Sequence, residues 1–80
     1  MYSFENLKKD IFSGREVEFI YKDNKYSISS TRDGKVFTKF NNSDNDVVFN
    51  DQNDFEILSI DNRLLKDIFN NNEIKDLIIF

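Results

Sequence analysis

The side chains best able to do chemistry in this 80-residue chain are its carboxylates. Fifteen Asp and Glu stand against eleven Lys and Arg, and His and Cys are absent. The densest acidic run is Asp44, Asp46, Asp51, Asp54 and Glu56, hard oxygen donors of the kind that Ca2+ and Mg2+ select. The spacing Asn42-x-Asp44-x-Asp46 resembles the opening of an EF-hand loop. Val47 stands where that loop needs Gly, and Asn53 stands where it needs a bidentate Glu. No metal is therefore assigned, and a solvated acidic loop is the simpler expectation. An acid–base pair could be drawn from fifteen carboxylates, but the spacing singles out none.

Other chemistries meet firmer limits. Without His or Cys the usual dyads and triads cannot form, and no Ser sits in a Gly-flanked elbow. The two glycines, Gly14 and Gly34, fit a helix end and a hairpin turn, which leaves no Gly-rich phosphate cradle. The expectation is a protein that is not an enzyme and carries no cofactor.

Charge is unevenly spread. Residues 1–40 hold eight Lys/Arg and six Asp/Glu, a net of +2; residues 41–80 hold three and nine, a net of −6, and together these make the chain's −4. The basic residues Lys8, Lys9, Arg15, Lys22, Lys25, Arg32, Lys35 and Lys39 are interspersed with acids, so direct nucleic-acid binding is not expected. Lys22, Lys25, Lys35 and Lys39 could share an exposed sheet face with Phe37 as a basic-aromatic platform. Their simpler role is to keep that face and its edges solvated. The acidic half allows the opposite idea: ordered carboxylates can imitate phosphate spacing and fill the basic groove of a nucleic-acid enzyme. The candidates are Asp44, Asp46, Asp51, Asp54, Glu56 and Asp61. Phe12, Ile20 and Phe37 fall opposite the expected inward stripes and together would make an apolar interface patch. A second core layer, or a misassigned strand register, is the equal alternative.

These residues must be positioned by a small α+β domain. Phe4, Leu7 and Ile11 recur at helical spacing, Ser3 is an N-cap candidate, and Gly14 suits the C′ position, so a helix is expected over 3–13. Residues 15–22 alternate, with Val17, Phe19 and Tyr21 inward. Asp23-Asn24 offers a tight turn, and residues 25–30 form a second strand with Tyr26 and Ile28 inward. Arg32-Asp33-Gly34 is the next turn. Residues 35–40 form a third strand, read with Val36, Thr38 and Phe40 on one face. A polar loop follows over 41–46. Val47-Val48-Phe49 either extends the sheet or plugs the core. From Asp51 the chain turns helical, and a second helix is expected from an Asp61 N-cap to about Asn70, with Leu64, Leu65, Ile68 and Phe69 as its stripe. Residues 73–80 close as a strand whose last four apolar residues suggest two covered faces or a central place.

The segments Phe4-Glu5-Asn6-Leu7, Gly14-Arg15-Glu16-Val17-Glu18-Phe19, Lys25-Tyr26-Ser27-Ile28 and Leu65-Lys66-Asp67-Ile68-Phe69 resemble a group of small α+β proteins of low-GC Gram-positive bacteria and their phages or mobile elements. The resemblance spans most of the chain. It implies a fold and a genomic setting, and carries no catalytic residues with it.

The expected fold is a single α+β domain: an N-terminal helix, a three-stranded antiparallel meander, two short helices and a C-terminal strand joining the sheet. No stretch approaches the ~18 apolar residues of a membrane span, and Met1-Tyr2-Ser3-Phe4-Glu5 lacks the pattern of a signal peptide. A cytoplasmic, non-membrane protein follows. The expected function is binding a protein partner without catalysis. Its sharp form is a mobile-element inhibitor of a CRISPR-type defence protein, acting through the acidic surface. The alternative is an assembly protein, such as a homodimer joined at a sheet edge.

Overall fold

The computed structural model describes residues 1–42, 44 and 46–80. In chain order its elements are α1 (Phe4–Phe12), β1 (Val17–Tyr21), β2 (Asn24–Thr31), β3 (Gly34–Lys39), β4 (Val47–Phe49), α2 (Gln52–Glu56), β5 (Ser59–Ile60), β6 (Arg63–Leu64), α3 (Leu65–Asn70) and β7 (Lys75–Ile79). The expected α+β fold is present. Five strands form an antiparallel sheet in the order β4-β3-β2-β1-β7, and β5 and β6 form a separate short hairpin. The polar loop expected over 41–46 includes Ser43 and Asn45, which lie outside the described residues.

Helix α1 starts and stops on side-chain and turn chemistry. Ser3 Oγ accepts from the Asn6 N–H at 3.1 Å, and Asn6 Oδ1 accepts from the Ser3 N–H at 3.0 Å. This reciprocal box satisfies two donors that the first turn would leave orphaned. At the other end Gly14 has φ +100°, its N–H donates to the Ile11 carbonyl, and the Arg15 N–H donates to the Asp10 carbonyl at 2.9 Å. That left-handed exit costs a glycine nothing. Phe4, Leu7 and Ile11 are buried on one face, as the spacing requires.

The core is aromatic and lies on one side of the sheet. Val17, Phe19, Tyr21, Tyr26, Ile28, Phe37 and Phe49 point inward from the strands. Phe55 of α2 joins them to the helices: its ring stacks on Phe4 at 4.9 Å between centroids and meets Phe12 at 5.7 Å and Phe49 at 5.6 Å. Phe69 of α3 packs edge-on to Phe19 at 5.0 Å. Such pairs add to the burial of about 150–250 Å2 per ring.

Several local expectations shift. The first hairpin turns at Lys22-Asp23, both with positive φ, not at Asp23-Asn24. A loop at Asp23-Asn24 would set Lys22 opposite Lys25. The observed register sets Phe19 opposite Tyr26, where the rings stack at 5.6 Å. The face of β3 is reversed: Phe37 is buried and pairs with Ile28, while Phe40 is exposed. Phe37 brings Lys35 and Lys39 to the helix side, so the basic-aromatic platform does not form, and Phe12, Ile20 and Phe37 make no common patch. Asp61 is not an N-cap. With Asn62 it forms the two-residue turn of the β5–β6 hairpin, both at positive φ. Helix α3 begins only at Leu65, and Leu64 is left exposed. Strand β7 is an edge, not a central strand.

Two stability outcomes follow. Phe55→Ala removes the ring shared by α1, β4 and α2, and urea denaturation should show a loss of about 3–5 kcal/mol. The Tyr21 hydroxyl is buried beside the Arg63 guanidinium but, among the described residues, meets no partner in hydrogen-bond geometry. Tyr21→Phe should therefore leave the unfolding midpoint unchanged or raise it, because an unmet buried hydroxyl is a cost.

Candidate protein-binding surface

The two-layer arrangement leaves one sheet face uncovered. Alternation along each strand assigns that face its residues. Across the strands they align as Val48–Val36–Ser29, then Thr38–Ser27–Glu18–Ile78, then Ile20 between Lys25 and Lys75. Phe40 and Phe80 continue these rows, since the Phe40 N–H donates to the Lys25 carbonyl at 2.9 Å and the Phe80 N–H to the Glu16 carbonyl at 2.8 Å. The face has a hydroxyl-rich centre and apolar margins. Phe40 is 41% exposed, Val48 55%, Ile78 47% and Phe80 63%. Lys25 bridges centre and margin: its ammonium lies 3.2 Å from Glu18 and 5.0 Å from the Phe40 ring centroid.

Among the described residues nothing pairs with the outer side of either edge strand, and the two edges differ. Strand β7 pairs with β1 through a shifted register, with Asp76 at φ +52°. Such a bulge twists an edge and hinders further pairing. Strand β4 is short and pairs with β3 in unbroken register. On the helix side, two clefts open beneath β4, of about 350 and about 330 Å3. They share Val47 and Ser59; the first adds Tyr26, Phe37 and Asp61, and the second Asp54, Ile57 and Leu58.

The six carboxylates singled out from sequence have different fates. Glu56 is engaged: Lys8 Nζ donates to its Oε1 at 2.7 Å, and Lys66 Nζ lies 4.0 Å from Oε2. Asp51 caps α2, its Oδ1 accepting from the Asp54 N–H at 2.9 Å. Asp44, Asp46, Asp54 and Asp61 are exposed. Asp44 and Asp46 precede β4, Asp51 and Asp54 follow it, and Asp61 lines the first cleft. Among the described residues no three acidic side chains converge as a metal-binding group would, and no helix is long and apolar enough to cross a membrane. The exposed residues that sequence reasoning missed are Val48, Ile78 and Phe80. Their signal is the apolar type at outward register positions, which becomes visible once the register is known.

The ion pairs set an acid limit on stability. The Lys8 ammonium holds the Glu56 carboxyl below its ordinary value near 4.5, and Glu56 holds Lys8 above its own. The Arg63 guanidinium, hydrogen-bonded to Glu73, holds that carboxyl down in the same way. A carboxyl depressed in the folded state stabilises above its unfolded value and loses that contribution as pH falls through the folded one. Urea midpoints should fall as pH drops below about 4.5, and less steeply in Glu56→Gln and Glu73→Gln. An unchanged acid limb in both variants would show that these pairs contribute nothing.

Comparison with known proteins adds no relative: the chain matches no protein-family model, no curated protein and no solved structure.

Proposed function

We propose that this protein is a non-catalytic interaction module that binds a protein partner through the open face of its sheet. The observation that carries the reading is the set of exposed apolar side chains on that face, Phe40, Val48, Ile78 and Phe80. Solvated sheet faces usually alternate cleanly to polar residues, whereas here exposed apolar side chains stand at both margins of the face. The hydroxyls of Ser27, Ser29 and Thr38 and the Glu18–Lys25 pair offer hydrogen-bonding groups between the apolar margins. The exposed carboxylates near β4 favour a partner with a basic surface by steering its approach. A nucleic-acid-processing defence protein is one such partner. In this reading the acids attract a basic protein and do not copy a phosphate ladder, because Glu56 and Asp51 are already committed within the fold. Self-association through the same face is the second reading, supported by the same exposed residues.

The test is affinity capture by the tagged protein from a lysate of the organism that encodes it, alongside a Phe40→Asp/Ile78→Asp variant. Both positions are exposed, so the variant should keep its melting temperature within about 5 °C. A partner held by the parent protein, released by moderate salt and lost in the variant, is the expected result. Equal capture by both proteins would sink the role of the open face. A dimer in sedimentation that the variant dissolves would move the assignment to self-assembly.

A further inference from the structure

We infer that the outer edge of β4 is a strand-addition site for an extended segment of a partner protein in which apolar and basic residues alternate. The inference rests on the reading as a protein-binding module but on a separate observation, the direction of the β4 main chain.

That direction follows from the register. The two-residue turn Lys22-Asp23 closes on Tyr21 and Asn24, which makes them a hydrogen-bonded pair. The next residue, Lys25, then faces β3, and its carbonyl indeed accepts from the Phe40 N–H at 2.9 Å. By the same alternation Val36 faces β2, while Lys35 and Phe37 face β4. Phe49 and Val47, opposite them, are the residues of β4 that bond to β3. Val48 lies opposite Val36, so its N–H and C=O point away from the sheet. They offer a donor and an acceptor to an incoming strand, the arrangement used in strand addition.

The surroundings state what that strand must carry. A residue pairing with Val48 puts its side chain on the open face. Its two neighbours point to the helix side, about 7 Å apart, over the two clefts that meet at Val47 and Ser59. Val47 is 43% and Ile57 70% exposed there, so the aliphatic stems of long basic neighbours would cover them while their charged heads reach the cleft carboxylates, and the apolar residue opposite Val48 packs beside Val48 and Val36 on the open face. Asp54 lines one cleft and Asp61 the other, with Lys39 the single basic lining residue among those described. Asp44, Asp46 and Asp51 flank the strand ends. Basic residues on the incoming segment complement this charge. A second copy of the chain would instead bring the same five carboxylates against themselves, which disfavours self-pairing at this edge.

The probe is an acetylated, amidated seven-residue peptide alternating lysine and valine, titrated by NMR at low salt. The expected result is binding that Val48→Thr keeps within about twofold and Val48→Pro weakens about tenfold or more. Proline is tolerated at an edge position whose N–H faces solvent, and circular dichroism checks that the variant folds. Should it not fold, the reciprocal bond of the same pair, from the central peptide residue's N–H to the Val48 carbonyl, is removed by N-methylating that residue, with the same expected loss. Asp46→Asn/Asp54→Asn should weaken binding severalfold and flatten its salt dependence. A glutamate–valine peptide should not bind. Undiminished binding to folded Val48→Pro, or by the N-methylated peptide, overturns the inference. So does a dimer that Val48→Pro dissolves, which would make a second copy the occupant. Peptide failure with partner capture still sensitive to Phe40→Asp/Ile78→Asp removes the edge site alone. Loss of both removes the interaction reading itself.

Discussion

The structure depends on one aromatic layer. With no cysteine and 80 residues, the chain has no covalent staple and a modest core, so apolar packing must supply its cohesion. Phe55 is the centre of that packing. It sits on a helix of five residues, too short to be stable alone, and is held because Phe4, Phe12 and Phe49 surround it. The three rings come from α1 and β4, so a single side chain fastens the helical layer to one end of the sheet.

The same economy explains the open face. Helices α1, α2 and α3, of nine, five and six residues, cover one side of the five-stranded sheet, and none of the described elements covers the other. That face must coexist with water, and its centre does so through Ser27, Ser29, Thr38, Glu18 and Lys25. Its margins remain apolar at Val48, Phe40, Ile78 and Phe80. The buried face and the open face are thus separated by the thickness of one sheet.

Asp and Asn carry the chain's sharp reversals. Asp23, Asn41, Asp61, Asn62, Asn72 and Asp76 all have positive φ, a region these side chains enter more readily than most. With no proline and two glycines, the Asp/Asn abundance does the work that Gly and Pro do in other small domains. Gly34 is the exception with a double reason. Its φ is +137°, which strains any L side chain, and a Cβ there would lie 2.4 Å from Asn50 Oδ1 and force that amide aside.

Local patterns alone determined much of this protein. The capped α1, the inward stripes Val17-Phe19-Tyr21 and Tyr26-Ile28, the existence of the meander and the lack of Gly-rich or thiol and imidazole chemistry were all legible, because each rests on contacts within a few residues or on composition. Val47-Val48-Phe49 was legible only as two alternatives, and the structure realises both: an edge strand that also delivers Phe49 to the core. What tertiary structure decided was which side of each element faces inward where the pattern is balanced. Alternation alone set Val36, Thr38 and Phe40 on one face with Phe37 outward, and pairing with Ile28 and stacking on Tyr26 turned Phe37 inward instead. The apolar run at the C-terminus read as a strand covered on both faces or central in the sheet, yet β7 lies at an edge beside β1 with Ile78 exposed. The carboxylates were visible as a set, but their assignment to a cap, an ion pair or the flanks of β4 required the folded chain. A one-residue change of register turns every side chain of a strand to the other face, and that choice is made by partners distant in sequence.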